Sequence, residues 1–307
     1  MTSPADTSNK MFAASAAAND GEFTPGDWAL FGAIACIWGS SFFFIKIGLE
    51  TMPPGFITFA RVGLGALAVS VMPRKRIAVD PDDRGRIFIL ALVWVAIPFT
   101  MFPIAEQHIN GSVTGLLNGS TPIFAAFVAT VFVKQAPKGL LAVGIGLGFV
   151  GIVMISVPSL TEGPNEALGV ALVLGASVSY GVALNIAPPL QKKYGPVNLM
   201  AKLLVVAAVL TAPYGLWEVD EVSYELKPTL SVIFIGVVGT GIAFAIMATL
   251  VGRVGGTRAS FITYLIPVVA LALGVAFQDD DVSALAVAGV AFVVAGALMA
   301  SRSKASS

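Results

Sequence analysis

The sequence predicts an all-α integral membrane protein in which ten transmembrane helices form two inverted five-helix repeats. Three observations carry that expectation. The residues are 56% hydrophobic and only 12% charged, about half the charge content of a soluble domain, and mean hydropathy is +0.87. Ten apolar stretches are long enough to cross hydrocarbon as helices. Residues 111–156 also lie without a gap on residues 256–301 when shifted by 145 positions, so that Gly111 meets Gly256, Pro122 meets Pro267, Gly144 meets Gly289, Gly151 meets Gly296 and Met154 meets Met299. A duplicated unit of apolar segment, polar break and apolar segment points to a transporter assembled from two halves.

Taken in order, residues 1–27 are polar, with no basic start, apolar core and cleavage site of a secretory signal, and read as a disordered cytoplasmic tail. The spans follow at 28–48, 54–72, 86–106, 112–133 and 139–157, which make the first repeat, 28–157. Those at 167–189, 197–217, 229–250, 257–277 and 284–301 make the second, 167–301, and residues 302–307 form a second short tail. Pro and Gly inside several spans mark kinks or close helix packing, not span ends. The repeat reaches back at an offset of 142, where Trp38-Gly39 meets Tyr180-Gly181 and Pro54 meets Pro196. Five is an odd number of crossings, so the second half enters from the opposite side, as alternating access about an in-plane pseudo-two-fold axis requires.

Lys and Arg orient the chain, because loops rich in them stay cytoplasmic. With the N-terminus inside, fourteen of the eighteen Lys and Arg residues fall on the cytoplasmic side, from Lys10 through the 74–86 loop, Lys134, Lys138, Lys192, Lys193, Arg253 and Arg258 to Arg302 and Lys304. The other side collects acids, among them Glu106, Glu162, Glu166, Asp220 and Asp279 to Asp281. Both termini are therefore expected in the cytoplasm of a multi-pass plasma-membrane protein.

The chain resembles the EamA-type members of the drug/metabolite transporter superfamily. The residues that carry the resemblance are Trp38-Gly39-Ser40-Ser41 followed by Lys46, Phe59-Ala60-Arg61, the prolines Pro122 and Pro267, and the small-residue fifth and tenth spans. Where family members usually carry a Gly-Glu pair at the exit of the fourth span, this chain has Lys134-Gln135, with Asp279-Asp280 in the second half. The resemblance implies a secondary transporter, often an exporter, of amino acids or related metabolites. It implies a substrate cavity among the first four helices of each half, and a cavity-facing or gating role for Lys46.

Arg61 stands seven residues into its span, about 10 Å of helix from the outer end. A charge at that depth needs a partner or a cavity. It is either an anchor for a substrate carboxylate, which guanidinium matches bidentately, or a structural ion pair. Lys202 either snorkels to the cytoplasmic surface or supplies a second anionic contact. Lys46 has a bland alternative in an i to i+4 pair with Glu50. Thr114 and Asn118 share a helix face and, with Thr263 and Tyr264 of the ninth span, can hydrogen-bond a zwitterion or join helices. Pro122 and Pro267 each release a carbonyl four residues earlier, at Asn118 and Thr263, which suits a substrate ammonium. Trp38 and Tyr180 are repeat mates fit to flank a cavity, and Ser41 belongs to the same first-span motif. The glycines of the fifth span serve packing within the chain, with a homodimer face as the alternative.

Several classes are excluded or disfavoured. The single cysteine, Cys36, rules out an intramolecular disulfide. No phosphate-binding loop of the Walker type is present, so pumping must use gradients. No acidic residue lies deep in a span, which disfavours a cation pump; if protons are coupled, Glu106 and His108 at the outer break are the nearby groups. The reading expects no enzyme, no metal, no cofactor and no nucleic acid, only the lipid bilayer and a small-molecule substrate. An uptake carrier or exchanger for organic anions or nucleotide-like solutes is the alternative. A channel or an intramembrane enzyme is the different class, the latter disfavoured because the one histidine lies in a loop.

Overall fold

In the computed structural model, residues 24–72, 77–254 and 259–302 are described. The two predicted tails therefore lie outside the described residues except at their inner edges, as do Arg74, Lys75, Arg76 and Arg258. Among the described residues ten helices are long and apolar enough to span a membrane: α1 Pro25–Gly48, α2 Pro54–Val71, α3 Pro81–Ala105, α4 Gly111–Val133, α5 Gly139–Glu162, α6 Pro164–Tyr194, α7 Pro196–Trp217, α8 Leu226–Val254, α9 Ser260–Phe277 and α10 Ala284–Arg302. Helices α3, α6 and α8 outrun the apolar stretches that announced them. Hydropathy marks where hydrocarbon ends, while the backbone stays helical into the polar interface, through Arg84 and Arg86 in α3 and Lys192 and Lys193 in α6.

Local chemistry sets the starts. Proline opens α1, α2, α6 and α7, where its missing N–H would have no helical partner anyway. At α1, Thr24 caps the Asp27 amide and Asp27 returns a carboxylate to the Thr24 amide, a reciprocal capping box.

The helices interleave the two halves. In the first half α1 packs on α8 and α9 of the second, and α6 of the second half packs on α3 and α4 of the first; the repeat mates α2 and α7, α4 and α9, and α5 and α10 face each other. Exposed Leu67, Val71, Val209, Leu226 and Leu230 leave an apolar outer surface suited to lipid. Trp28 and Trp217 are exposed near helix ends, where interfacial aromatics belong.

The glycines that revealed the sequence repeat meet in space. A Cβ on Gly144 would stand 2.6 Å from the Gly296 carbonyl oxygen, and one on Gly151 would stand 2.5 Å from that of Gly289. Backbone thus packs on backbone between α5 and α10. This face is occupied inside the chain, in line with the packing reading of these residues.

Irregularity is also paired. Helix α3 widens to a π turn at Leu92–Ala96 and α8 does so at Val237–Ile242, positions related by the same shift of 145. Helix α4 divides into Gly111–Asn118 and Thr121–Val133, and α9 into a 3-10 stretch, Ser260–Tyr264, and Ile266–Phe277. Pro122 and Pro267 each stand in the first turn of the second piece. Each proline therefore stands just past a local break in the regular helix, through which the backbone stays right-handed at Gly119, Ser120 and Leu265.

Candidate functional site

Arg61 lies on α2 at the seam between the halves, 5% exposed. Its Nε donates to the Thr240 hydroxyl at 3.2 Å, and its guanidinium carbon stands 4.0 Å from the Phe99 ring centroid, a cation-π distance. Gly65 makes this possible. A Cβ there would come within 2.6 Å of the Thr240 methyl carbon, so only glycine lets the π turn of α8 approach α2 this closely. Thr240 is itself fixed by donating to the Ile235 carbonyl at 2.9 Å. Among the described residues the terminal guanidinium nitrogens have no hydrogen-bond partner. Tyr180 and Glu106 are near enough for their fields to act on the cation.

On the side opposite the termini, called here the far side, Lys46 donates to the Glu106 backbone carbonyl at 2.7 Å. Glu50 pairs instead with Lys227 at 3.3 Å, so the i to i+4 pair of Lys46 with Glu50 does not form. Glu106 is not peripheral as its loop position suggested: it is fully buried. On the same side, Gln278 Nε2 donates to the Phe43 carbonyl at 3.1 Å, and the Ser112 amide donates to Asp280 at 3.0 Å, whose charge reaches Glu106. Both bonds join one half to the other. His108 is half-buried beside a cavity of about 200 Å³ that it shares with Asn110, Ser159, Glu162, Glu166 and Asp281.

The remaining candidates divide. Tyr180 lies by Arg61, with its ring 6.0 Å from Phe102. Trp38 packs edge-on to Phe244 at 5.7 Å, and Ser41, buried, donates to the Ile37 carbonyl and lies beside Gly239 of the α8 π turn. These are neighbours of the seam. Thr114 and Asn118 are buried on α4, and the Thr114 hydroxyl returns to the Asn110 carbonyl. The Asn118 carbonyl, expected to be left open by Pro122, accepts from the Thr121 hydroxyl at 2.8 Å. The helix break thus supplies one donor of its own to a carbonyl that has two lone pairs. On α9 the Thr263 hydroxyl donates to the Ser260 carbonyl and Tyr264 stacks on Phe261. Lys202 stands away from the Arg61 seam, in an open groove of about 740 Å³ with Val79, Arg84, Phe88 and Val206.

Thr240, Phe99 and the burial of Glu106 escaped the sequence reading. A threonine between two glycines in an apolar span, Gly239-Thr240-Gly241, was the available signal for the first. Nothing local announces the others, because they depend on which helices meet.

Two interleaved inverted repeats, with matched interruptions where they meet, define a membrane transporter of the two-halves type. The chain matches the EamA-like transporter family over residues 26–157 and 167–302 and belongs to it. It is 24% identical over 271 residues to an uncharacterized transporter of Archaeoglobus fulgidus, covering 88% of this chain and 96% of that one. It is 26% identical over 271 residues to the uncharacterized inner membrane transporter YedA of Escherichia coli, covering 83% and 84%. A solved crystal structure with 16% identity superposes at a TM-score of 0.61 over 90% of this chain and 96% of its own, a likeness of fold.

Proposed function

We propose that this chain is a secondary active transporter that exports amino-acid-like metabolites across the plasma membrane, with both termini in the cytoplasm. The two repeats rock about the seam at Arg61, which holds the substrate carboxylate. One observation carries the reading: Arg61 is buried at the contact of α2, α3 and α8, yet only its Nε is bound to protein among the described residues. Two terminal nitrogens in a planar fork remain for a carboxylate. Phe99 and Tyr180 offer walls for an apolar side chain, and the paired helix breaks in α4 and α9 give each half a joint.

An organic anion or a phosphorylated solute is the second reading, favoured by Lys46, whose charge and that of Arg61 both reach Glu106. Counterflow in proteoliposomes separates them, with labelled amino acids, nucleosides, sugar phosphates and organic cations assayed one at a time. Saturable exchange of amino acids is expected, reduced roughly tenfold by Arg61→Lys, which keeps the charge and loses the fork. Preference for organic cations, or unchanged exchange in Arg61→Lys, would sink the carboxylate anchor.

A further inference from the structure

Glu106 follows the last turn of α3 and has no task in the binding reading above. Its side chain is fully buried, and both carboxyl oxygens lack a hydrogen-bond partner among the described residues. The other buried acids differ. Asp27 accepts from the Thr24 amide, and Asp83 accepts from Lys193 and Tyr194. A carboxylate removed from water without donors is strongly penalised in its charged form, so this environment suits the neutral acid. The nearby cations do not reverse that. Lys46, on α1, gives its hydrogen bond to the Glu106 backbone carbonyl and not to the carboxyl group, on which only its field acts, more strongly than that of Arg61 but less than burial does. Arg61, on α2, and Asp280, after α9, act on Glu106 only through their fields, with opposite signs. Tyr180, on α6, shares the field of Arg61, and His108 faces the acid-lined cavity with Glu162 and Glu166.

We propose that the Glu106 carboxyl holds a proton while the far side is closed, releases it to far-side water when that side opens, and then competes with the substrate carboxylate for Arg61. The inference deepens the transporter reading and rests on it. The bonds from Gln278 to Phe43 and from Ser112 to Asp280 tie the halves together at this side, so the separation that breaks them also wets Glu106. In the closed state the neutral acid leaves Arg61 available to a substrate arriving from the cytoplasm. In the open state the ionised acid draws on the same cation, and the substrate leaves. The O–H bond broken on opening is remade on closing with a proton from the same water, so the cycle carries no net proton across the membrane.

Full-length protein in lipid nanodiscs tests the proton without any transport assay. At neutral pH, infrared spectra of the wild type are expected to show a protonated-carboxyl carbonyl band that Glu106→Gln removes and Asp280→Asn retains. A wild-type spectrum lacking that band overturns the proposal. Counterflow of a labelled amino-acid mixture, at equal pH on both sides, is then expected to rise roughly threefold from about pH 6 to about pH 8. Glu106→Gln should be slow and flat over that range, while Glu106→Asp and His108→Gln keep the slope. A Glu106→Gln protein with the wild-type slope also overturns the proposal. If the wild type exchanges no amino acid at all, the carrier reading fails, and the infrared band still decides whether Glu106 holds a proton.

Discussion

Thr240 orients the cation on which the transport reading rests. Its hydroxyl accepts from Arg61 while donating to the Ile235 carbonyl, so the guanidinium plane is held by a group that is itself held. Thr240→Val keeps the shape and removes the acceptor. A hydrogen bond from a charged donor contributes about 1.5–3 kcal/mol, so the half-saturating amino-acid concentration in counterflow should rise at least roughly tenfold, with little change in thermal midpoint. The depth of Arg61 made it legible in the sequence, because a charge inside a span must be answered by something. The identity of the answer was not. Lys46 makes the same point: Glu50 is four residues on, in the turn after α1, yet the carbonyl of Glu106, sixty residues away, takes the proton donor. Sequence spacing predicts what one helix offers, and only the packing of α1 on its neighbours decides which offer is taken.

At the scale of elements, the ten spans, their doubling and their inversion were legible because hydropathy and an ungapped repeat report them directly. The π turns of α3 and α8 were not, since the apolar run continues unbroken through Leu92–Ala96, and Gly239-Thr240-Gly241 in Val237–Ile242 marks an irregularity without saying which. The extra residue in each turn shifts the helix face, and in α8 it brings Thr240 toward Arg61. The α5 and α10 pair allows a sharp test of helix packing. A Cβ at Gly144 would meet the Gly296 carbonyl oxygen and the Ala300 amide nitrogen, both at 2.6 Å, whereas one at Gly146 would meet nothing within 4 Å. Backbone atoms cannot turn aside as a side chain can. Gly144→Val is therefore expected to cost about 1–3 kcal/mol, seen as a lower thermal midpoint in detergent, and Gly146→Val is expected to leave the midpoint unchanged. Equal effects would show that helix propensity, not the α5–α10 contact, governs both positions.

Over the whole molecule, alternating access requires closures at both ends that can be broken in turn. The far-side closure is the set around Glu106. At the end holding the termini, Arg253 lies 3.5 Å from Asp27, and Lys193 of α6 bridges Asp80 at 2.9 Å and Asp83 at 2.6 Å. Tyr194 donates to Asp83 at 2.8 Å and accepts from the Asp80 amide at 3.1 Å. The two closures respond to pH in different ranges. The Lys193 ammonium, foremost, and the Asp82 amide hold the Asp80 carboxyl below the usual carboxylate range. A depressed carboxyl stabilises the fold fully above its unfolded value of about 3.9, and the contribution fades only as pH falls through the still lower folded value. Between about pH 6 and about pH 8 this linkage is constant, so a transport slope in that window comes from elsewhere, as the Glu106 proposal requires. Lys193 and Asp80 are both about half exposed, so solvent screens their pairing and its loss should be modest. Lys193→Met is expected to lower the thermal midpoint slightly at neutral pH, and the gap to wild type should close on acidification below about pH 4 as the carboxyl takes up its proton. A gap that instead closed between about pH 6 and about pH 8 would place a titrating group in the Lys193 closure and remove the separation between the two ends.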